Sequence, residues 1–285
     1  MTGLRSFVWF VVLTFASTWA CWIAANALSG RSGTASLAIG GLVLLGTIAP
    51  SLVALALTAR REGRAAVQTL LRRVTQSNVG LRWYVFAVGF MPAIKLSVAL
   101  IHRVITGAWP RFGDESWYLM AGAILISTWV QAGEEIGWRG YALPSLSRRV
   151  GLAQASLILG VVWASWHLPL FVMLDSDKLG QSFPIYLVQV TALSVAAAWL
   201  YWRTDGSLLL VMIFHAAANN TKDIVPSAVP GASDPLAFSP SPVAWLTVAM
   251  LWVAAVFFLV QLPKAPGPVQ AFANAPDAPR HADLP

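Results

Sequence analysis

The chain has little charge. Only 11% of its 285 residues are Asp, Glu, Lys or Arg, while 57% are hydrophobic, and the mean hydropathy is +0.66. A soluble chain of this size carries about a quarter charged residues, so composition excludes an ordinary soluble globular fold. Cysteine is nearly absent. The single Cys21 excludes a disulfide framework or a cysteine-based metal site within one chain. No His-Glu-x-x-His helix occurs, no internal repeat is visible and no large soluble domain interrupts the apolar runs. The first of these runs starts after Arg5 and lacks a small-residue cleavage site, so it reads as a retained helix rather than a signal peptide.

What the chain does have is apolar segments of about 20 residues, each long enough to cross a bilayer as a helix. Eight candidates lie near 6–28, 35–58, 83–103, 117–138, 152–174, 184–202, 207–225 and 243–262. The expected fold class is all-α, a polytopic membrane protein of about eight transmembrane helices. The formal charge of +7 would suit nucleic acid, but its placement favours another reading. Arg60, Arg61, Arg64, Arg72, Arg73 and Arg82 crowd one connection, and Arg148, Arg149 and Arg203 fall in others on the same side. Lys and Arg accumulate on the cytoplasmic side of membrane proteins, so the expectation is a multi-pass cell-membrane protein with both termini cytoplasmic. The basic residues can also touch anionic lipid; nucleic acid is not expected as a partner.

Organisation follows from these runs. Residues 1–117 would hold the N-terminal helices with a basic cytoplasmic loop at 60–82, part of it a short amphipathic surface helix with Leu70 and Leu71 on its apolar side. Residues 118–225 would form the core of the bundle, in spans four to seven. Residues 226–262 would be a Pro-rich outer loop and the last helix, and 263–285 a disordered Pro/Ala-rich cytoplasmic tail.

Polar residues inside the spans carry the chemistry, because a charge at membrane depth costs a few kcal/mol or more and usually faces a cavity. "QAGEEIGWRGY" places Glu134 and Glu135 after an apolar run. Glu135 and Arg139, at i and i+4, share a helix face and can pair, which would make Glu135 structural, or a cap on a helix end near water. Glu134 points about 100° away with no cation at matching spacing and with Trp138 as an apolar wall, so it is the better candidate for a general base. His167 lies one helical turn after Trp163, and Pro169 removes the N–H that would bond to Ser165. His215 and Asn219 share a face four residues apart. They could stabilise an oxyanion or simply bridge helices.

In order, "EEIGWR" (134–139), "WASWH" (163–167) and "HAAAN" (215–219) resemble the motifs of the CPBP family of intramembrane proteases. That family contains type II CAAX prenyl endopeptidases and the related bacteriocin-immunity (Abi) proteins. Its motifs are Glu-Glu-x-x-x-Arg, Phe-x-x-x-His and His-x-x-x-Asn or Asp; here Trp163 stands where the family usually has Phe. The likeness covers residues 118–225. It implies an intramembrane endopeptidase in which Glu134 and His167 activate a water while His215 and Asn219 hold the oxyanion. Glu135, Arg139 and Trp163 would support them. The partner would be a polypeptide, membrane-associated or lipidated substrates included. A metalloprotease reading would place a divalent metal such as zinc on Glu134, His167 and His215; a metal-free glutamate mechanism fits as well and is preferred. Depth presents a difficulty: His167 would sit about 22 Å from the start of span five at 152, deeper than Glu134 and His215. The leading reading has the site open to the cytoplasmic side. A non-catalytic immunity or scaffold protein is the alternative. A transporter is a further one, for which Lys95 in span three is the candidate ionisable group on an opposite half-channel.

Overall fold

The computed structural model describes residues 3–29, 35–174, 176–227, 234–238 and 241–266. The expected disorder of the tail and most of the Pro-rich outer loop lie outside these. Every regular element among the described residues is helical: α1 Gly3–Leu28, α2 Ala35–Glu62, α3 Arg64–Arg72, α4 Leu81–Thr106, α5 Trp117–Val130, α6 Ala132–Gly137, α7 Leu143–Trp166, α8 Phe183–Arg203, α9 Leu208–Thr221 and α10 Pro242–Gln261, with short tighter or wider turns between them. Six stretches are long and apolar enough to cross a membrane, one of them the 50-residue run Trp117–Trp166.

That run is two spans. A straight helix would put Trp163 about 44 Å from Glu134, yet the Trp163 indole N–H lies 2.9 Å from the Glu134 carboxylate. The chain folds back at Gly151, whose φ of 78° and ψ of 161° break α7. A left-handed φ favours glycine, and space demands it too: a Cβ there would sit 2.0 Å from the Lys264 carbonyl oxygen. The N–H groups of Leu152 and Ala153, freed by the break, donate to Pro263 O at 2.9 and 3.1 Å, pinning the hairpin to the end of α10. Together with α9, the bundle has the eight crossings expected, although span four runs on to 150 rather than ending at 138, and span five stops at Trp166 rather than 174.

The helices alternate in direction, so the first and last both have an end at the side of the basic connections. Contacts confirm that grouping: Arg61 bonds Ser6 and Tyr141, and Arg73 donates to the Tyr201 hydroxyl at 2.6 Å. α3 lies across this end with Leu70 buried. α9 is apolar around most of its circumference and is buried along nearly its whole length, as an all-round hydrophobic helix should be. Outer helices instead turn large apolar side chains outward, such as Val85 and Leu100 on α4, Leu125 and Ile126 on α5 and Val256 and Val260 on α10, the surface expected against lipid.

Without a hydrophobic driving force in lipid, helix association rests on close packing, which small residues allow. Gly133 and Gly137 flank the two glutamates at GxxxG spacing. A Cβ at Gly133 would lie 2.7 Å from Ile48 Cγ2, and one at Gly137 would lie 2.7 Å from the Pro50 backbone. Ser51 Oγ donates to Ala132 O at 2.6 Å in the same contact. α2 therefore backs directly onto the glutamate-bearing segment and holds it rigid.

Candidate active site

Glu134 and Glu135 stand in the first turn of α6, inside the long fourth span, and both are buried, so Glu135 does not cap a helix end near water. Glu134 stands about 24 Å from the Gly151 turn and His167 about 22 Å beyond it. The two arms of the hairpin bring them to one depth, and the difficulty posed by span lengths disappears. α9 begins level with Gly140, where a Cβ would lie 3.3 Å from Leu208 Cδ1; seven residues later it carries His215 to the same layer.

Directly after the glutamates the helix widens into a π turn over Trp138–Ala142. Such turns recur at functional sites. Arg139 sits within it and donates to both oxygens of Glu135 at 2.8 and 3.1 Å, both side chains being fully buried. The expected pair is therefore present, but it has a third member. His215 Nδ1 lies 2.8 Å from Glu135 Oε1, so its N–H donates there and Nε2 is left for the cavity. Glu135 thus orients a site histidine, a role that spacing along one helix could not reveal.

Trp163 is the hub. Its indole N–H donates to Glu134 Oε2 at 2.9 Å. The Arg139 guanidinium carbon lies 4.1 Å from its ring centroid, and His215 meets the ring edge-on at 5.1 Å. Its carbonyl accepts from His167 Nδ1 at 2.9 Å, which sets that tautomer and leaves Nε2 as an acceptor. The aromatic partner of Glu134 is therefore Trp163, acting as a hydrogen-bond donor. Trp138, expected as its apolar wall, packs against Phe10 and Trp166. His167 caps the C-terminal end of α7, and Pro169 lies in the short 3-10 turn Leu168–Phe171 that follows. Trp166 at 4.6 Å and Tyr186 at 5.4 Å close an aromatic box around it. Tyr186, on α8, has no motif spacing to betray it in the sequence.

Glu134, His167, His215 and Asn219 all line one cavity of about 440 Å³, within the usual range for small-molecule and peptide pockets. Asn219 is exposed into it, whereas its neighbour Asn220 is spent on Ser127 Oγ at 2.8 Å. Helices outside 118–225 add to the wall, through Trp22, Thr47, Met91, Lys95 and Leu251. Lys95 is fully buried and committed to structure, donating to Val225 O and Ser227 Oγ at 3.0 Å each, which removes the half-channel candidate. The mouth is ringed by Asp177, Lys178, Gln181, Lys222 and Asp223. Lys178 and Lys222 both pair with Asp177 at 3.1 Å. Burial raises the Asp177 pKa, but the two ammonium groups outweigh it and bring it from 3.8 down to about 2. Burial pulls the Lys178 pKa below its ordinary value. These residues follow α7 and α9, at the end of the bundle opposite the basic connections. The expectation that the site opens on the basic side is thus corrected.

Among the described residues no group of three or more His, Cys, Asp or Glu side chains is arranged to hold a metal. Glu134, His167 and His215 are each held by protein through one polar atom, which leaves the other donor atom of each for the cavity.

Residues 115–221 match the family described as type II CAAX prenyl endopeptidase Rce1-like. A CAAX prenyl protease 2 of the archaeon Methanococcus maripaludis is 26% identical over 223 residues, covering 74% of this chain and 82% of that protein. The matched segment contains all three motifs, and the likeness to type II CAAX prenyl endopeptidases that they carried is found again in both matches.

Proposed function

Starting from that Rce1-like segment, we propose that the chain is an intramembrane endopeptidase using a glutamate-activated water. The observation that carries this reading is the convergence of Glu134, His167, His215 and Asn219 from three helices on one cavity. One oxygen of Glu134 is held by Trp163, leaving the other to take a proton from water. His167 Nε2 accepts the second water proton's hydrogen bond and aims the lone pair at a peptide carbonyl carbon. As the C–O bond forms, the carbonyl oxygen becomes an oxyanion. Asn219 donates its amide N–H to it, and His215 adds a second bond when Nε2 carries a proton. Glu134 then passes its proton to the leaving nitrogen as the C–N bond breaks, giving a carboxylic acid and an amine, and the remaining water proton moves from the acid to the amine so that they leave as carboxylate and ammonium. A positioned base contributes about 10²–10⁴-fold, and each oxyanion donor about 10²–10³.

The partner is a polypeptide, with membrane-anchored or lipidated chains in the substrate class, and lipid surrounds the outer helices. The charge distribution supports both termini on the cytoplasmic side of the cell membrane, with residues 118–225 as the catalytic core and the flanking helices as its frame.

The test is cleavage of a peptide library by detergent-purified protein, comparing wild type, Glu134→Gln and wild type with excess chelator. Cleavage lost in Glu134→Gln and retained with chelator is expected. Wild-type cleavage in Glu134→Gln overturns the assignment of the base, and loss with chelator restored by zinc overturns the metal-free mechanism.

A further inference from the structure

The cavity mouth and the positive charge lie at opposite ends of the bundle. Eleven of the nineteen Lys and Arg residues stand at the end formed by Arg5, the 60–82 connection, Arg148, Arg149, Arg203 and Lys264, against two acidic residues there, Glu62 and Asp205. Among the described residues the other end has four basic residues, Arg103, Arg111, Lys178 and Lys222, and five acidic ones. Direct contacts tie each group together. Gln76 Nε2 donates to Thr204 O at 3.2 Å at the basic end. At the mouth, Lys222 meets Asp177 at 3.1 Å and Gly113 N donates to Ile224 O at 3.1 Å.

Orientation in the membrane follows the Lys/Arg excess of short loops, with the rich side cytoplasmic. Eleven residues against four among the described residues is a strong bias. We infer that the cavity opens on the non-cytoplasmic face, so the chain takes its substrate from polypeptides exposed on that face: exported segments, or outer-leaflet-anchored ones, rather than cytoplasmic proteins. The substrate part of this inference rests on the peptidase reading; the orientation does not. Chemistry at the rim agrees with a peptide entering from water. Asp177 and Asp223 are exposed while still lining the cavity, and Lys178 and Lys222 give the rim both signs of charge. From that rim, polar side chains lead down to Asn219 and the site. At the basic end, by contrast, the route to the glutamates is closed by Leu70, Trp138, Leu208 and the Arg73–Tyr201 bond.

The experiment is cysteine labelling of the full chain in intact cells with a sulfonated, membrane-impermeant maleimide. Cys21→Ser supplies the background. Asp223→Cys and Asp114→Cys report on the mouth end, and Glu62→Cys and Arg149→Cys on the basic end. Two sites at each end keep the result readable if one variant fails to fold. The mouth cysteines are expected to label before permeabilisation and the basic-end cysteines only after it. Labelling of the basic-end cysteines in intact cells, or protection of the mouth cysteines until permeabilisation, overturns the inference. Because labelling needs no turnover, a protein that labels as expected but cleaves nothing fails the peptidase reading and not the orientation.

Discussion

Removing the charge of Glu135 tests how the site is held. Its carboxylate answers both Arg139 and His215 at 2.8 Å, in a setting where Glu135 and Arg139 are wholly buried. Arg139 has no reserve, since its Nε and Nη2 are buried without hydrogen-bond partners among the described residues. Glu135→Gln therefore strands a buried guanidinium, which costs about 3–5 kcal/mol. The Trp163 ring beneath Arg139 offsets at most about 2 kcal/mol, and that contact exists already in the wild type. At about 2–4 °C per kcal/mol for a domain near this size, the midpoint of thermal unfolding in detergent should fall by about 6–20 °C. Replacing both members, Glu135→Met with Arg139→Met, removes the stranded charge and leaves only His215 Nδ1 without its acceptor, about 1–3 kcal/mol. The double variant should thus be more stable than Glu135→Gln. Turnover should not recover with it, because His215 is no longer oriented toward the oxyanion, a loss of about 10²–10³-fold. Thermal unfolding and peptide cleavage on the same samples read both quantities. A Glu135→Gln protein as stable as wild type, or a double variant with wild-type turnover, would refute the reasoning.

Trp163→Phe keeps an aromatic ring under Arg139 but removes the donor to Glu134. A hydrogen bond to a charged group contributes about 1.5–3 kcal/mol, so kcat/KM should drop roughly 10–150-fold with little change in thermal midpoint; unchanged kcat/KM would show that the bond does not position the base. Gly137→Ala drives a Cβ to 2.7 Å from the Pro50 backbone and should destabilise by about 1–3 kcal/mol. Gly89→Ala, with nothing within 4 Å, should be neutral or up to about 1 kcal/mol stabilising, and equal midpoints for the two would contradict the close α2 contact. Asp177, with a folded pKa of about 2 against an ordinary 3.8, stabilises the mouth above the unfolded value, and that contribution is lost as pH falls through the folded one. Protease nicking of the 176–182 loop should therefore stay constant from neutral pH to about 4 and rise below it with an acid-stable protease, whereas Asp177→Asn should show the raised rate already at neutral pH.

Much of this protein is local and hence legible in its sequence. Apolar runs of bilayer length dictate helices, because only helices satisfy every backbone group within one segment in lipid. The Glu135–Arg139 pair follows from helical spacing, and His167, His215, Asn219 and Glu134 stand out because polar groups at membrane depth are costly. The three motifs in order carry the likeness to type II CAAX prenyl endopeptidases. What tertiary structure alone decided is whatever depends on where one helix meets another. The Gly151 reversal sets the depth of His167 against Glu134, and it is fixed by Lys264 and Pro263, more than a hundred residues away. Glu135 reaches His215 on α9, and Trp163 reaches Glu134 across the hairpin; hydrogen bonds between helices leave no periodicity in either. The direction of the mouth is likewise a property of the bundle. Loop charge orients the chain in the membrane, but only the packed helices determine which end of the bundle is closed by Leu70, Trp138 and Leu208 and which is open.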